Sequence, residues 1–401
     1  NHPMSQYQTL DDIEFRGKRV LMRADLNVPM KDGQITDGSR ITEAAPGLAE
    51  LLDGGASVVL TSHLGRPKGK AAAEYSLAPI AQELAKALGG VEISFVEGWD
   101  GTGPEDAAAA LRPGELLLLE NLRFEAGEEA NDPVFAARLA GLADIYVDDA
   151  FSCTHRTHAS ITGVAAHLPA AAGRLRQKEL EALQTALENP VHPVAAIIGG
   201  NKISTKLGVL ENLIAKVDHL LIGGAMAHTF LLADGIDVGR SLAEPDMIAT
   251  ARRVTAAAAE AGCKITLPTD VRIAAEFAEN APSKAVPVDA IPTGQMALDI
   301  GPKTARAMNL VIAASRTVIW NGPMGAFEIT PFDTGTNTLA LAVAERTQIG
   351  ALKSIAGGGD TMAALVHAKA AKDFTYVSLA GGAFLEWLEG RALPGIEALR
   401  S

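Results

Sequence analysis

Short apolar runs, each ending abruptly in glycine or charged residues, alternate along this chain with Ala/Leu-rich stretches of helical spacing. In the first half the pattern predicts strands over Arg19–Asp25, Ser57–Ser62, Glu92–Val96, Leu116–Glu120 and Ile145–Asp149, and helices over Ala44–Asp53, Ala78–Leu88 and Pro133–Ala140. It restarts after Pro193. There it predicts strands over Val194–Ile198, His219–Ile222, Lys264–Pro268, Thr317–Trp320, Ser354–Ala356 and Thr375–Leu379. The helices between them are Thr205–Lys216, Ala225–Ala233, Asp246–Ala261, Thr334–Thr347 and Thr361–Ala368. Such alternation gives a parallel sheet covered on both faces. The fold class is therefore α/β, with two doubly wound parallel-sheet, Rossmann-like domains.

Between the halves, Leu175, Leu180, Leu183 and Leu187 recur near helical spacing among charges, and Asn189-Pro190 ends the run. Arg174–Glu188 reads as an interdomain helix. The expected domains are 4–172, a linker helix at 173–189, a second domain at 190–385, and a C-terminal segment, 386–401.

Composition narrows the function. Over 401 residues, 48% hydrophobic and 21% charged is globular and far from disorder. A net charge of −13 repels a nucleic-acid backbone. Apolar runs such as Leu116–Leu119 are too short to span a membrane. No charged-then-apolar leader opens the chain, and Asn1-His2-Pro3 before Met4 reads as a cloning scar. Cys153 and Cys263 are far apart, which fits a reducing compartment rather than a disulfide framework or zinc site.

In open α/β sheets ligands bind beyond the carboxyl ends of strands. The first half places cations there: Arg23 through Pro29, then Arg40; Ser62-His63-Leu64-Gly65-Arg66-Pro67; Glu120 through Arg123; and Asp149 through His158 with Arg156. One arginine alone is most simply a solvated surface charge. Repeated at one sheet edge of an acidic chain, arginines point to a small, multiply charged anion, because the guanidinium fork matches phosphate and carboxylate. His155 and His158 lack a third metal ligand at a recognisable spacing, and Cys153 near His155 is an unspecific pairing. Asp148-Asp149 suits loop-holding better than acid–base work.

The second half places glycines, amides and lysines at its strand ends: Gly199 through Lys206, Gly223-Gly224, Trp320 through Glu328, and Gly357-Gly358-Gly359-Asp360-Thr361. Each glycine pair alone is a tight turn. Together, with Lys202 and Lys206, they point to a nucleotide phosphate cradle at helix N-termini. Asp360 suits a magnesium shell, which needs one or two carboxylates beside waters and phosphates. Neither G-x-x-x-x-G-K-[ST] nor a complete G-x-G-x-x-G occurs.

Arg23–Pro29, Ser62–Pro67, Glu120–Phe124, Asp149–Arg156, Gly199–Lys206, Asp299–Lys303, Trp320–Glu328 and Gly357–Thr361 resemble the motifs of the phosphoglycerate kinase family, in its order and over nearly the whole chain. The resemblance implies transfer of the acyl phosphate of 1,3-bisphosphoglycerate to Mg-ADP, giving ATP and 3-phosphoglycerate in glycolysis, with domain closure. It implies that Asp25, Leu26, Asn27, Arg40, His63, Leu64, Gly65, Arg66, Arg123 and Arg156 hold 3-phosphoglycerate or the bisphosphate. Lys206, Asn321, Glu328, Gly357, Gly358, Gly359, Asp360 and Thr361 would hold ADP or ATP, with Glu328 on the ribose and Asp360 near Mg2+. Gly200, Gly224 and Leu298 would border the adenine slot. Arg40, Lys202 and the Gly381 backbone would be catalytic, stabilising the phosphoryl group in flight. A cytoplasmic monomer is implied, with no nucleic-acid or membrane partner.

The chain departs from the family pattern at Asp148, where the family often has Asn, and at Ser152-Cys153-Thr154, where it has Gly-Thr-Ala. A Ser-Thr-Gly-Gly-Gly loop appears as Ser378-Leu379-Ala380-Gly381-Gly382. Ala380 can still donate its N–H unless the turn needs positive φ. The alternatives are a related acyl-phosphate phosphotransferase and a non-catalytic nucleotide-binding paralogue; retention of Arg40, Lys202 and Asp360 argues against the second.

Overall fold

The structure, a computed structural model, describes residues 7–400. The Asn1-His2-Pro3 reading and residues 4–6 of the first expected domain lie outside them, as does Ser401. The chain forms two compact units, one running to Leu180 and resuming at Ala392, the other spanning Glu181–Arg391.

The first unit holds a six-stranded parallel sheet of β1 (Arg19–Arg23), β2 (Ser57–Thr61), β3 (Ile93–Val96), β4 (Leu116–Leu119), β5 (Ile145–Asp148) and β6 (Ala170–Ala172). Its spatial order is β3-β4-β2-β1-β5-β6. The central strands are apolar throughout because both faces are covered. Val20, Met22, Val58, Leu60, Leu116 and Leu118 pack on one face under helices α1 (Ser39–Asp53) and α2 (Ala78–Ala87). Leu21, Val59, Leu117, Leu119 and Tyr146 pack on the other with Phe135 and Leu139 of α3 (Pro133–Ala140). This is the two-residue alternation of a strand read on both sides.

The second unit holds a parallel sheet of β7 (Val194–Ile198), β8 (His219–Ile222), β9 (Lys264–Thr266), then β13 (Thr317–Asn321), β14 (Lys353–Gly357) and β15 (Tyr376–Ser378). Its order, β9-β8-β7-β13-β14-β15, is that of a doubly wound dinucleotide-type sheet. A separate antiparallel sheet, β11-β10-β12, joins β10 (Asp270–Ala274), β11 (Ser283–Pro287) and β12 (Met296–Ile300).

Several elements depart from the sequence expectation, among them the helices Pro302–Ala314 and Gly381–Leu388, which it did not include. Helix α1 begins at Ser39, five residues before Ala44, so Arg40 sits in its first turn and Pro46 lies inside it. Ala170–Ala172 has helix-forming composition yet is a strand, because pairing with β5 decides it. The antiparallel sheet, with its irregular register between Arg272 and Ile273, was not expected. The linker is α-helical only over α4 (Arg174–Leu183); Gln184–Glu188 widens to a π turn, closed by Asn189 N–H donating to Gln184 O at 3.0 Å.

The start of α4 shows why two aspartates end β5. Asp149 accepts the backbone N–H groups of Leu175 and Arg176 at 2.9 and 3.2 Å, capping the helix. A Cβ on Gly173 would overlap the Asp149 carboxylate, so glycine is required there. Burial pushes the Asp149 carboxyl up to about 7, against those two donors. Asp148 pairs with Arg176, and both side chains are fully buried.

Candidate functional site

In the first unit β1 lies between β2, reached by one crossover, and β5, reached by another in the opposite direction. Crevices at such reversals collect strand-end residues. Asp25, just past β1, is the hub. Arg40 Nη1 donates to both of its oxygens at 2.8 Å and to Asn27 O at 3.0 Å. Ser152 Oγ donates to Asp25 Oδ2 from the β5 side. Asn27 Oδ1 accepts Gly65 N–H at 2.9 Å, and Arg123 Nη1 donates to Gly65 O at 2.9 Å. Gly65 has φ +60°, and a Cβ there would run into the Tyr75 ring. Leu26 and Leu64 are buried behind these loops, their N–H groups tied to Ser62 Oγ and Asn121 Oδ1 at 2.8 and 3.2 Å.

His63 is buried and its Nδ1 faces Arg23 Nη2 at 2.9 Å. A guanidinium only donates, so Nδ1 accepts and the ring proton sits on Nε2. Burial, then the charges of Arg23, Arg123 and Arg40, hold the His63 pKa well below its ordinary value. His158 is pushed to about 4 by burial and then by Arg123, Arg23 and Arg156. Both rings are neutral donors or acceptors at neutral pH. Arg156 is exposed but close enough to lower both His158 and Arg123 after burial has done so. Arg66 is exposed, and no bond among the described residues ties its side chain to this cluster.

In the second unit a crevice of about 880 Å³ opens beyond β7, β13 and β14. Gly199 and Gly322 (φ +97°) cross so closely that a Cβ on either would strike the other loop's backbone. Gly224 (φ +72°) packs the same way against Gly200. Asn321 joins three loops: Lys206 Nζ donates to its Oδ1, and its Nδ2 donates to Gly357 O at 2.8 Å. Thr361 Oγ1 accepts Gly322 N–H at 2.8 Å. Burial lowers the Lys206 pKa, opposed by Asp360 and Glu389.

Helix α5 (Ile203–Ile214) starts just after Lys202, which sits at its N-cap rather than inside it. Lys202 is exposed to the crevice and has no ion pair among the described residues, whereas Lys206 is tied to Asn321. Gly200, Gly224, Leu298, Glu328, Gly358, Gly359, Asp360, Thr361 and Gly381 also line the crevice; Gly357 stands behind it.

A family model described as phosphoglycerate kinase matches residues 10–391. The chain belongs to the phosphoglycerate kinase family. It is 54% identical over 393 residues to the phosphoglycerate kinase of Cereibacter sphaeroides, covering 98% of this chain and 99% of that one. It is 55% identical over 395 residues to that of Sinorhizobium medicae, with 98% and 99% covered. The solved phosphoglycerate kinase of Coxiella burnetii superposes with a TM-score of 0.92 at 44% identity, covering 98% of each chain. That of Pyrococcus horikoshii gives 0.79 at 30%, again over 98% of each. The chain is thus an enzyme, a kinase and phosphotransferase of this family.

The departures from the phosphoglycerate kinase pattern can now be placed. Asp148 is the partner of buried Arg176, Ser152 holds Asp25, and Cys153 Sγ lies 3.7 Å from Arg23 Nη2. Ala380 has φ −98°, so the turn does not need glycine, but its N–H donates to Ser378 Oγ at 3.1 Å. Sequence reasoning missed Arg23 as a positioning residue. It is fully buried and also donates to Ser160 Oγ at 2.9 Å, which in turn donates to buried Glu128 at 2.6 Å. The signal was its place at the end of the central strand, where a charged side chain is buried only when it is paired or hydrogen-bonded.

Proposed function

We propose that residues 4–172 bind 3-phosphoglycerate or 1,3-bisphosphoglycerate and residues 190–385 bind ADP or ATP, with 173–189 as the connecting helix and 386–401 returning to the first domain. The observation that carries this reading is the pairing of chemistries. One strand-end cluster gathers guanidiniums and neutral imidazoles, while the other site is lined by glycine loops, a free lysine and two exposed carboxylates, Glu328 and Asp360.

Asp25, Leu26, Asn27, Arg40, His63, Leu64, Gly65, Arg66, Arg123 and Arg156 form the phosphoglycerate site. The neutral His63 ring donates through Nε2, and Arg40 is already aligned on Asp25. Gly200, Gly224 and Leu298 border the base, Glu328 takes the ribose, and Lys206, Asn321 and Gly357 through Thr361 cradle the phosphates.

The attacking atom is a terminal phosphate oxygen of ADP, and the leaving group is a carboxylate. The O–P bond to ADP forms as the acyl O–P bond breaks. Neither group needs a proton moved, so no general base is required. The demand is for positive charge and alignment. Arg40 and Lys202 supply the charge, with the Gly381 backbone beside the transferring group.

Asp360 fits magnesium. It is an exposed carboxylate at the phosphate cradle, with no cluster of three potential ligands among the described residues, and Mg2+ needs no more when phosphates and water complete its shell. Bound there, the ion would neutralise phosphate charge.

The two parts must approach for transfer and exclude water from the acyl phosphate. Scattering from free and doubly liganded protein should show a smaller radius of gyration in the latter; an unchanged value argues against closure. No helix among the described residues is long and apolar enough to cross a membrane. A cytoplasmic monomer acting in glycolysis, with small-molecule partners only, completes the proposal. The deciding assay is ATP formation from 1,3-bisphosphoglycerate and Mg-ADP. Robust turnover supports the reading, and turnover only with another acyl phosphate would favour the related phosphotransferase.

A further inference from the structure

The second unit has another concavity, of about 360 Å³, beside α6 (Pro302–Ala314) and α7 (Thr334–Gln348). That volume lies at the lower end of small-molecule sites. Ile300 and Ala305 give it an apolar wall, and Leu310, 67% exposed, stands at its rim.

Its polar groups are uncompensated. Arg272 and Arg306 both line it, and neither has an ion pair among the described residues of this acidic chain. Arg272 donates only a long bond, 3.3 Å, to Ser283 Oγ. The carboxyl across the strand pair from Arg272 is Asp299, and burial pushes its pKa up to about 8, so it carries little charge at pH 7. Asp270 is already engaged at the start of α6, accepting Lys303 and Thr304 N–H at 3.0 and 2.8 Å.

We propose that this pocket binds a small amphiphilic carboxylate, its aryl or branched-alkyl body on Ile300, Ala305 and Leu310, and its anionic head met by Arg272 and Arg306. The site is separate from the nucleotide crevice but shares Ile300 with it. The test therefore fills the nucleotide crevice first.

The probe is 6-hydroxy-2-naphthoate, titrated calorimetrically at pH 7 into the full chain saturated with Mg-ADP. Binding is expected, weakened roughly fivefold or more by Arg306→Glu and by the neutral probe 6-hydroxy-2-naphthamide. Arg306 is exposed, so its reversal leaves the fold intact. Thr338→Trp, at an exposed position lining the pocket, should fill it and abolish binding. No binding at millimolar probe, equal affinity in wild type and Arg306→Glu, or displacement of Mg-ADP by the probe would overturn the proposal. Mg-ADP affinity measured in the same samples checks the nucleotide reading independently.

Discussion

In the proposed reading the two sites solve the same problem, holding a multiply charged anion, with opposite materials. In the first unit the site is made of side chains anchored by other side chains. Arg40 rests on Asp25, Asp25 on Ser152, and His63 on Arg23. In the second unit it is made of backbone. Gly199, Gly224, Gly322 and Gly358 let loops pass where any Cβ would collide. Side-chain sites concentrate full charge at chosen atoms but require every cation to be aligned. Backbone sites spread partial charge over many N–H groups and tolerate no added bulk. The difference teaches where each unit is vulnerable: the first to truncation, the second to enlargement.

The sharpest break is Arg40→Ala. It removes a guanidinium already oriented by two carboxylate contacts, and turnover should fall about 100- to 1,000-fold. Steady-state kinetics check it, with circular dichroism confirming an intact fold. Enlargement comes next. Gly358 has φ +104°, and a Cβ there would lie 2.8 Å from Asn321 Nδ2. Gly358→Ala should lower stability by about 1–3 kcal/mol and weaken Mg-ADP roughly tenfold, measured by urea unfolding and calorimetry.

A smaller effect probes the wall behind the nucleotide crevice. Asp299 accepts Ile300 N–H and Gly335 N–H at 2.8 Å each, yet burial raises its pKa to about 8. The folded chain then keeps a proton that the unfolded chain releases near the ordinary 3.8. This contribution is full below that value and is lost as pH rises through 8. Between pH 6 and 9 wild type should lose more stability than Asp299→Asn, as read from urea midpoints. Equal losses would show that Asp299 is already ionised at pH 6. The smallest effect is Ala380→Gly. Ala380 has negative φ and its N–H is engaged by Ser378, so turnover should change less than about threefold.

Much of this was readable in the residues. Strands β1, β2, β4, β5, β7 and β13 announce themselves as apolar runs cut off by charge or glycine, and the residues after them form the two crevices. What escaped was set by tertiary contact. Ala170–Ala172 carries no strand signal of its own, and the β10–β12 sheet sits outside the βα rhythm. Arg40 stood outside the expected helix, which was begun at Ala44, five residues past its observed start at Ser39. Arg23 was visible as an arginine, but its role in setting the His63 tautomer depends on a contact 40 residues away in sequence. Lys202 and Lys206 differ in what holds them: among the described residues the first has no ion pair, and the second is tied to Asn321.

That last contrast gives the most direct test of an enzyme that works by placed charge and not by proton transfer. Lys202→Ala should reduce turnover at least about 100-fold while leaving Mg-ADP affinity within roughly threefold, both measured on one preparation. Parallel losses in turnover and in ADP affinity would contradict the account and make Lys202 a binding residue.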